Sequence, residues 1–480
     1  MSLELLKPIW VELFVCAGAL CLLLLDLYLP DNARKYLSTW TASVLSAGLF
    51  LTTVLDGTGS IGAVYVGNAF SVAAKQIILL AALLSVLGGK EWLAIASPKK
   101  QGEYHFLVLL SLCGMMLLPG IRDFILLIVC FELMGIPLYI LAAWSKDEDT
   151  PEKRQNAVQR SAEASLKLYF VGGASTVVTL FGLSLLTGLA ASTRFDAVLS
   201  VPQTPLTQVG IFLILAGMGF KIGAVPFHMW IPDTYQGAIT PFVTFLSVAP
   251  KAAGLLTLTV IAQKALPADS WKVALIGLSV VTMTVGNLMA LPQKNIKRLL
   301  GYSGVAQVGY MLLCLCVGNT YSLGVLLFYL FGYVAANVGV FLVLHAVADT
   351  ESDDTMDGLA GLARRSPWLG MALLLFLLSL AGIPFVVGFW AKLYVFMAAY
   401  QGGYPWLVVI GAVLAVVGLF YYLQVAKAAY MVSPARNEPV SVQPWLAFSI
   451  VVCLLLTVGL GAYPGPLFET CQKAAEALTH

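Results

Sequence analysis

Charged residues are scarce in this sequence of 480 residues, because Asp, Glu, Lys and Arg make up only 11% of it. Soluble domains usually carry about a quarter charged residues. The mean hydropathy of +0.88 and the hydrophobic fraction of 59% point the same way. So few charged side chains cannot cover a water-exposed surface. The composition therefore excludes a soluble protein and predicts a single polytopic membrane domain over residues 1–480.

Signatures of metal, nucleotide and nucleic-acid binding are also missing. The eight cysteines form no C-x-x-C pair and have no histidine at metal-ligand spacing, so most are interpreted as small apolar side chains. No G-x-x-x-x-G-K-[ST] loop and no dinucleotide fingerprint is found. The net charge of +2 without a long basic run argues against nucleic acid as a partner. The first residues lack a basic n-region and a cleavage site, so the opening apolar run is expected to be a retained helix.

Long apolar runs are abundant. A membrane-spanning helix needs roughly 20 consecutive apolar residues, and fourteen runs meet this requirement. The runs cover residues 9–29, 36–55, 68–88, 104–120, 123–145, 161–190, 205–230, 241–265, 271–291, 296–318, 321–348, 367–400, 404–432 and 444–463. Since helices are the spanning structure that such runs form, the sequence predicts an all-α integral membrane protein with about 14 transmembrane helices.

The loops between these runs differ in charge. Fifteen lysines and arginines fall in alternate loops on one side of the predicted bundle, and six fall on the other side. The positive-inside rule makes the richer side cytoplasmic. Both termini are then expected to face outside.

Four charged residues lie deep within the predicted spans. They are Glu132, Lys221, Lys251 and Lys392. A charged side chain at the bilayer centre costs about 2.5–3.5 kcal/mol on insertion scales, so each must face other helices, water or a partner. The sequence therefore marks these four residues as candidates for function.

Other charged residues fall closer to the ends of the runs. Lys75 and Lys427 lie within about two turns of a helix end, so we expect both to snorkel to the interface. Glu12 is expected at the interface for the same reason. Lys167 and His228 are candidates for a proton path, although an interfacial role stays open for both. The sequence does not decide whether Lys75, Lys167, Lys427, His228 and His345 take part.

Prolines accompany all four buried charges. Pro137, Pro226, Pro250 and Pro384 lie within two turns of Glu132, Lys221, Lys251 and Lys392, respectively. A proline inside a helix frees the carbonyl four residues earlier, and hydrocarbon tolerates a freed carbonyl only where protein or water satisfies it. Broken helices around hydrated pockets at mid-membrane are typical of transporters. We therefore expect a helix break at each of these prolines.

The buried charges suggest proton transfer. Burial disfavours a lysine ammonium and a nearby carboxylate favours it, so a lysine under both influences can change protonation near neutral pH. Three such lysines and one glutamate on separate helices predict a proton path across the bundle. Moving a charge against the membrane potential costs about 2.3 kcal/mol per 100 mV. Because the chain has no nucleotide loop, cofactor ligands or nucleophile–base set, that work must come from elsewhere.

Four segments carry a resemblance to a known family. They read "FELMGIPLYIL", "GFKIGAVPFHMWIPDTYQGAITPFVTFLSVAPKAAG", "KNIKRLLGYSGVAQVGYM" and "AGIPFVVGFWAKLY". Together they resemble the antiporter-like membrane subunits of bacterial respiratory complex I, and the resemblance covers most of the chain. The short tail after Tyr463, Lys392 in the twelfth run and the wording of the first and third segments favour subunit N among them.

The resemblance implies a fold and roles for particular residues. The fold would contain two inverted five-helix repeats, here residues 104–265 and 271–432. Glu132 and Lys221 would form a carboxylate–lysine pair that Lys167 modulates. Lys251 would be the central relay and Lys392 the distal proton donor.

The resemblance also implies cofactors and partners. No cofactor is expected in this chain, whereas NADH, FMN, iron–sulfur clusters and a quinone would be bound by other subunits. Other membrane subunits, including a neighbouring antiporter-like subunit and small ones, would be partners together with membrane lipid. The location would be the bacterial cytoplasmic (inner) membrane.

Two further interpretations stay open. A subunit of a multisubunit cation/proton antiporter or of a membrane-bound hydrogenase would share the same buried charges and differ in its partners. A structural scaffold of the membrane arm is an alternative of another class. In a scaffold the lysines would only stabilise helix contacts, so replacing Lys251 by Met would impair assembly rather than pumping.

Overall fold

The computed structural model describes residues 3–55, 57–145, 151–351, 354–434 and 438–479, and these ranges are almost entirely helical. The helices are α1 (Trp10–Tyr28), α2 (Leu37–Val54), α3 (Ala69–Ala96), α4 (Gln101–Leu117), α5 (Phe124–Ala142), α6 (Pro151–Ala190), α7 (Phe195–Leu199), α8 (Pro205–Ile222), α9 (Trp230–Gly237), α10 (Thr240–Leu246), α11 (Ala249–Lys264), α12 (Ala268–Ala290), α13 (Ile296–Val317), α14 (Thr320–Glu351), α15 (Leu362–Arg365), α16 (Pro367–Ala381), α17 (Val387–Gln401), α18 (Pro405–Met431), α19 (Pro444–Ala462) and α20 (Gly465–Thr479). Strands β1 (Gly59–Ile61) and β2 (Tyr65–Gly67) form an antiparallel hairpin in which Ser60 pairs with Val66.

The helices agree with the predicted fold class. Thirteen segments in the described part of the chain are long and apolar enough to cross a membrane, and the count reaches 14 when the bent pair Asp357–Arg365 and Pro367–Ala381 is taken as one span. Helices α10 and α11 together form one of these segments, Thr240–Lys264. The prediction of an all-α membrane protein with about 14 transmembrane helices is therefore confirmed.

The centre of the bundle is formed by α11, α13 and α14. Almost every side chain of these helices is buried, whereas α1, α6, α18 and α19 bury less than half of theirs. Exposed Leu, Val and Phe side chains on the outer helices can face lipid because hydrocarbon is as apolar as they are. A polar group on a central helix, in contrast, can meet only protein or internal water.

Hydrogen bonds tie the loops together at each end of the bundle. At the end where α1, α3 and α5 finish, called the basic end here, Arg34 donates to the Lys99 carbonyl at 2.7 Å. At the opposite end, called the hairpin end because it holds β1 and β2, Tyr65 forms a β-bridge with Ile121. Helix α20 also lies there and accepts a 3.0 Å bond from Asn68 at the Ala477 carbonyl.

Helices break near three of the four predicted prolines. Pro226 lies between α8 and α9, Pro250 stands in the first turn of α11 just after the α10–α11 break, and Pro384 lies between α16 and α17. Helix α5 instead continues from Phe124 to Ala142 through Pro137, so the break expected there is wrong. One lost hydrogen bond does not end a helix whose remaining turns are packed against neighbours.

The breaks after α8 and α16 are made by glycines rather than by prolines. Gly223 and Gly382 adopt φ values of 75° and 88°, and each caps its helix. In both caps the residue after the glycine donates to the carbonyl five residues earlier, which is the Schellman pattern. The expectation that Pro226 frees the Ile222 carbonyl inside a helix is thus wrong, because α8 has already ended.

Candidate proton path

Lys221 lies at the broken end of α8 and faces Glu132 on α5. The side chain of Lys221 is buried, and its Nζ lies 5.5 Å from the centre of the Phe131 ring. Glu132 is half-buried and accepts a 2.7 Å hydrogen bond from Thr176 on α6. Lys221 and Glu132 do not form a direct ion pair, and no described residue hydrogen-bonds the Lys221 ammonium. Glu132 is nevertheless the carboxylate whose charge acts on Lys221.

Lys251 is the third residue of α11 and lies in the centre of the bundle. It is 1% exposed, and within the described part of the chain its Nζ has no hydrogen-bond partner. The Nζ lies 5.4 Å from the centre of the Tyr235 ring. A Cβ at Gly304 on α13 would come within 2.6 Å of Nζ and 3.1 Å of the Tyr333 hydroxyl. The ammonium and the Tyr333 hydroxyl therefore converge over a position that only glycine leaves open.

Lys392 lies in the second turn of α17, beside the break after α16. The side chain is buried, and its Nζ donates to the carbonyls of Leu380 and Ala381, both at 2.9 Å. These carbonyls belong to the last turn of α16, where no further helical turn provides N–H donors. The ammonium also lies 4.9 Å from the centre of the Tyr310 ring. Lys392 thus satisfies the end of one half of a broken helix from the other half.

A polar cluster that sequence reasoning missed lies beside Lys392. Gln307 on α13 donates through Nε2 to the Leu380 carbonyl at 2.9 Å and to the Tyr422 hydroxyl at 3.1 Å. Its Oε1 accepts from the Tyr329 hydroxyl, and Ser303 bonds the Tyr422 hydroxyl. Neutral polar residues in apolar runs are common in membrane helices, so the charge pattern gave no signal for this cluster. The spacing of Ser303 and Gln307 on one helix face was the only signal available.

Lys167 lies at the basic end rather than beside Glu132. Its side chain is 42% exposed, and Nζ lies 2.7 Å from Glu163 and 2.8 Å from Asp233. Arg298 on α13 bonds the same Asp233 carboxylate at 2.5 Å. Burial alone would raise the pKa of Asp233, but the hydrogen bonds from Lys167 and Arg298 outweigh burial and hold that pKa below its usual range. This ion cluster joins α6, α9 and α13.

Two cavities open at the basic end. One of about 540 Å³ is bordered by the Lys167, Asp233 and Arg298 cluster. Another of about 200 Å³ is bordered by Lys297 and His345. Lys297 Nζ lies 2.9 Å from an Asp354 oxygen. His345 is buried against Trp92, with ring centres 5.7 Å apart, and borders this second cavity.

His228 is not on the same helix face as Lys221. Seven residues would align the two side chains only on a continuous helix, and α8 ends at Ile222. His228 instead lies in the segment between α8 and α9, where it is buried with its ring centre 6.1 Å from that of Tyr302.

Lys75 and Glu12 form a buried ion pair that the sequence did not reveal. Lys75 Nζ lies 2.8 Å from Glu12 Oε1 and also donates to the Pro8 carbonyl at 2.7 Å. The Tyr65 hydroxyl donates to the same carboxylate at 3.2 Å. The expected snorkelling of Lys75 is wrong, because the hairpin and the N-terminal turn cover this part of α3 and bury the ammonium together with Glu12. Lys427, in contrast, is exposed as snorkelling requires.

The chain has the fold of antiporter-like membrane proteins. Residues 122–418 match the family model described as NADH:quinone oxidoreductase/Mrp antiporter, TM. A curated relative from Moorella thermoacetica, NADH-quinone oxidoreductase subunit N, is 37% identical over 97% of this chain and 97% of its own length. The chain therefore belongs to the NADH-quinone oxidoreductase subunit N family, as the resemblance predicted.

Solved structures agree with this assignment. A chain of respiratory complex I from Thermus thermophilus with bound aureothin superposes with a TM-score of 0.82 at 32% identity, covering 96% of this chain and 98% of that one. A chain of the Mrp complex from Dietzia sp. DQ12-45-1b superposes with a TM-score of 0.87 at 20% identity, covering 100% and 98%. The second likeness shows the fold alone.

Proposed function

We propose that the chain is a proton-translocating membrane-arm subunit of a bacterial NADH:quinone oxidoreductase. The observation that carries this proposal is the burial of Lys221, Lys251 and Lys392, which are 7%, 1% and 7% exposed, at three helix breaks. A purely structural ammonium would be expected to have a carboxylate within ion-pairing distance, as Lys75 has. Lys221 and Lys251 have none among the described residues. Side chains of this kind can accept and release a proton as nearby charges change.

The proposed path runs from Glu132 and Lys221 through Lys251 to Lys392. Each transfer changes the charge next to the following group, and Coulomb coupling is strong where water does not screen it. Electron transfer in other subunits would supply the work. NADH, FMN, the iron–sulfur clusters and the quinone would be held there, so that this chain performs no redox step of its own.

Entry from the cytoplasm is proposed at the basic end. The two cavities beside Asp233 and Lys297 supply a polar surface there, and the excess of lysine and arginine supports a cytoplasmic position for this end in the inner membrane. Lys167 and His228 lie near this entrance and would influence it. Both termini would then lie outside.

Two inverted repeats, 104–265 and 271–432, are proposed for the path. The matching glycine caps after α8 and α16 support this division. Other membrane subunits of the complex, a neighbouring antiporter-like subunit among them, and lipid would surround the bundle.

A cation/proton antiporter subunit is the second candidate, because the family model that matches residues 122–418 describes NADH:quinone oxidoreductase and Mrp antiporter proteins together. The difference in sequence identity, 32% against 20%, supports complex I instead. Purification of the native complex decides between them, because only the first candidate co-purifies with an NADH-oxidising activity.

The test of proton translocation is Lys251→Met in the host, with Lys427→Met as the matched control because Lys427 is exposed on α18. The amount of assembled complex, NADH-driven quinone reduction and proton uptake are measured in sealed membrane vesicles. We expect an assembled complex in which Lys251→Met abolishes proton uptake while Lys427→Met leaves it unchanged. Normal uptake in Lys251→Met would remove this lysine from the path, and failed assembly would favour the scaffold interpretation.

A further inference from the structure

We propose that Gln307 is the positioning residue that links the Lys251 region to Lys392. This inference rests on the proposed function and adds a neutral side chain to it. Gln307 is 2% exposed and lies on α13, between the two lysines. Its amide group holds one carbonyl and two hydroxyls, and each of those three groups belongs to a different helix.

The hydrogen bonds determine how the amide is oriented. The Leu380 carbonyl can only accept, so the amide nitrogen must face it, and the amide oxygen then faces the Tyr329 hydroxyl. The nitrogen also donates to Tyr422, which leaves the Tyr422 O–H free to donate to Ser303. Three of the four hydrogen bonds thus have a defined direction, and in the Ser303–Tyr422 bond either hydroxyl can donate.

The Leu380 carbonyl connects this amide to Lys392. Gln307 Nε2 and Lys392 Nζ both donate to the Leu380 oxygen at 2.9 Å. A carbonyl oxygen has two lone pairs, and these two donors occupy both. A shift of the Gln307 amide would therefore also move the end of α16 and the Lys392 ammonium.

Gln307 also lies close to the surroundings of Lys251. Tyr333 and Tyr329 are four residues apart on α14, so they stand one turn apart, about 6 Å along the helix. The Tyr333 hydroxyl and the Lys251 ammonium converge over Gly304, three residues before Gln307 on α13. One turn of α13 and α14 consequently separates the surroundings of Lys251 from those of Lys392.

An amide cannot carry the proton, because glutamine does not titrate. Its contribution is to hold the hydroxyls of Tyr329 and Tyr422 at fixed positions between the lysines, so that hydroxyls and internal water can relay the proton. A neutral histidine could replace this function, since one ring nitrogen donates and the other accepts. Methionine has a similar length but has no hydrogen-bond donor and only a weak acceptor.

The test compares Gln307→Met with Gln307→His in the assembled complex. The control is Gln263→Met, because Gln263 on α11 donates a similar 3.0 Å bond to the Gly318 carbonyl far from the lysines. Proton uptake, the maximal rate of quinone reduction and the KM for quinone are measured in vesicles. We expect Gln307→Met to lower uptake and rate roughly tenfold, below the full effect of an acid–base group, with KM unchanged. Gln307→His is expected to restore most of both.

Two results would overturn the inference. One is normal uptake in Gln307→Met, and the other is an equal loss in the Met and His variants, which would mean that packing alone matters at this position. If Gln307→Met does not assemble, Tyr329→Phe replaces it, because this change removes one hydroxyl and keeps the ring. Normal uptake in Tyr329→Phe would then also overturn the inference. Normal uptake in Lys251→Met would instead contradict the proposed function, so the two failures are distinguishable.

Discussion

The break after α8 and the break after α16 share a backbone motif but hold their lysines differently. Both helices end in a glycine cap with positive φ, and both place a lysine beside the cap. Lys392 donates to two carbonyls of the broken end. Lys221 donates to none of the described residues, and Glu132 is its proposed counter-charge. One lysine is held by two carbonyls, whereas the other has no hydrogen-bond partner among the described residues.

The reason for this difference lies in which groups satisfy each helix end. At the end of α8, the Trp230 indole donates to the Phe220 carbonyl at 3.3 Å. At the end of α16, the lysine performs this role. A cation at the C-terminus of a helix is favoured by the helix dipole. This favours both Lys221, which lies in the last turn of α8, and Lys392, whose ammonium lies at the end of α16. Lys392 also donates to two carbonyls there, whereas the Lys221 ammonium has no hydrogen-bond partner among the described residues.

Lys251 lies at the start of a helix, whereas the other two buried lysines lie beside helix ends. It lies in the first turn of α11, where the partial positive charge of the helix N-terminus disfavours an ammonium. A proton on Lys251 is thus expected to move toward Lys392 or back toward Lys221 rather than to stay. The ends of broken helices, as well as the charged residues, can therefore influence where a proton rests along the proposed path.

Among the variants that distinguish the two breaks, the largest effect is expected from Lys392→Met, which removes the cation held by the α16 carbonyls. Proton uptake of the assembled complex should fall roughly a hundredfold, as for the loss of an acid–base group. Lys392→Arg is the matched variant, because arginine keeps the charge but does not release its proton. Both variants should fail in the vesicle assay. Normal uptake in the arginine variant would show that only the charge is needed and would remove Lys392 as a proton carrier.

A smaller effect is expected from Glu132→Gln, which removes the counter-charge of Lys221 and leaves Lys392 untouched. Uptake should fall about tenfold, because the lysine keeps its position but loses the group that favours its charged form. The control is Glu469→Gln, since Glu469 is an exposed carboxylate on α20 at the hairpin end. Equal uptake rates in Glu132→Gln and its control, measured per assembled complex, would show that Lys221 does not need the charge of Glu132.

Lys75→Met should reduce the amount of complex rather than its rate. Removing one partner of a buried ion pair costs about 3–5 kcal/mol because the other charge stays buried, so several-fold less assembled complex is expected in the membrane. Adding Glu12→Gln should recover part of the loss. Quantification of the complex in native gels and its rate per complex check this. A normal amount with a lowered rate would place Lys75 on the path instead.

The smallest effect is expected from Gly382→Ala compared with Gly223→Ala. Alanine in the left-handed region costs about 1–2 kcal/mol at either position. The new Cβ at Gly382 would lie 2.7 Å from Lys392 Cδ, whereas at Gly223 it would meet Ile231 at 2.2 Å. The backbone cost is common to both variants, so the difference comes from the displaced lysine. Uptake per complex should fall about threefold for Gly382→Ala, which corresponds to about 0.7 kcal/mol at about 1.4 kcal/mol per tenfold, and less for Gly223→Ala. The reverse order would show that the displaced lysine is not the cause.

Several features of the site were predictable from particular residues. Glu132, Lys221, Lys251 and Lys392 stood out because each is a lone charge far from the ends of an apolar run. The Glu12–Lys75 pair did not, since its partners are 63 residues apart and only the folded hairpin closes over them. Gln307 gave no charge signal at all.

Amino-acid order alone decides that this chain spans a membrane and which charges must be buried, because apolar runs and isolated charges are local properties with large transfer energies. Tertiary structure decides how each buried lysine is satisfied. The hydrogen bonds of each lysine depend on where the helices end. The carbonyls at the end of α16 contact Lys392, whereas Lys221 has no such contact among the described residues. Glycine caps set those ends, and the packing of α13, α14 and α18 around Gln307 brings together hydroxyls that are more than 90 residues apart in sequence.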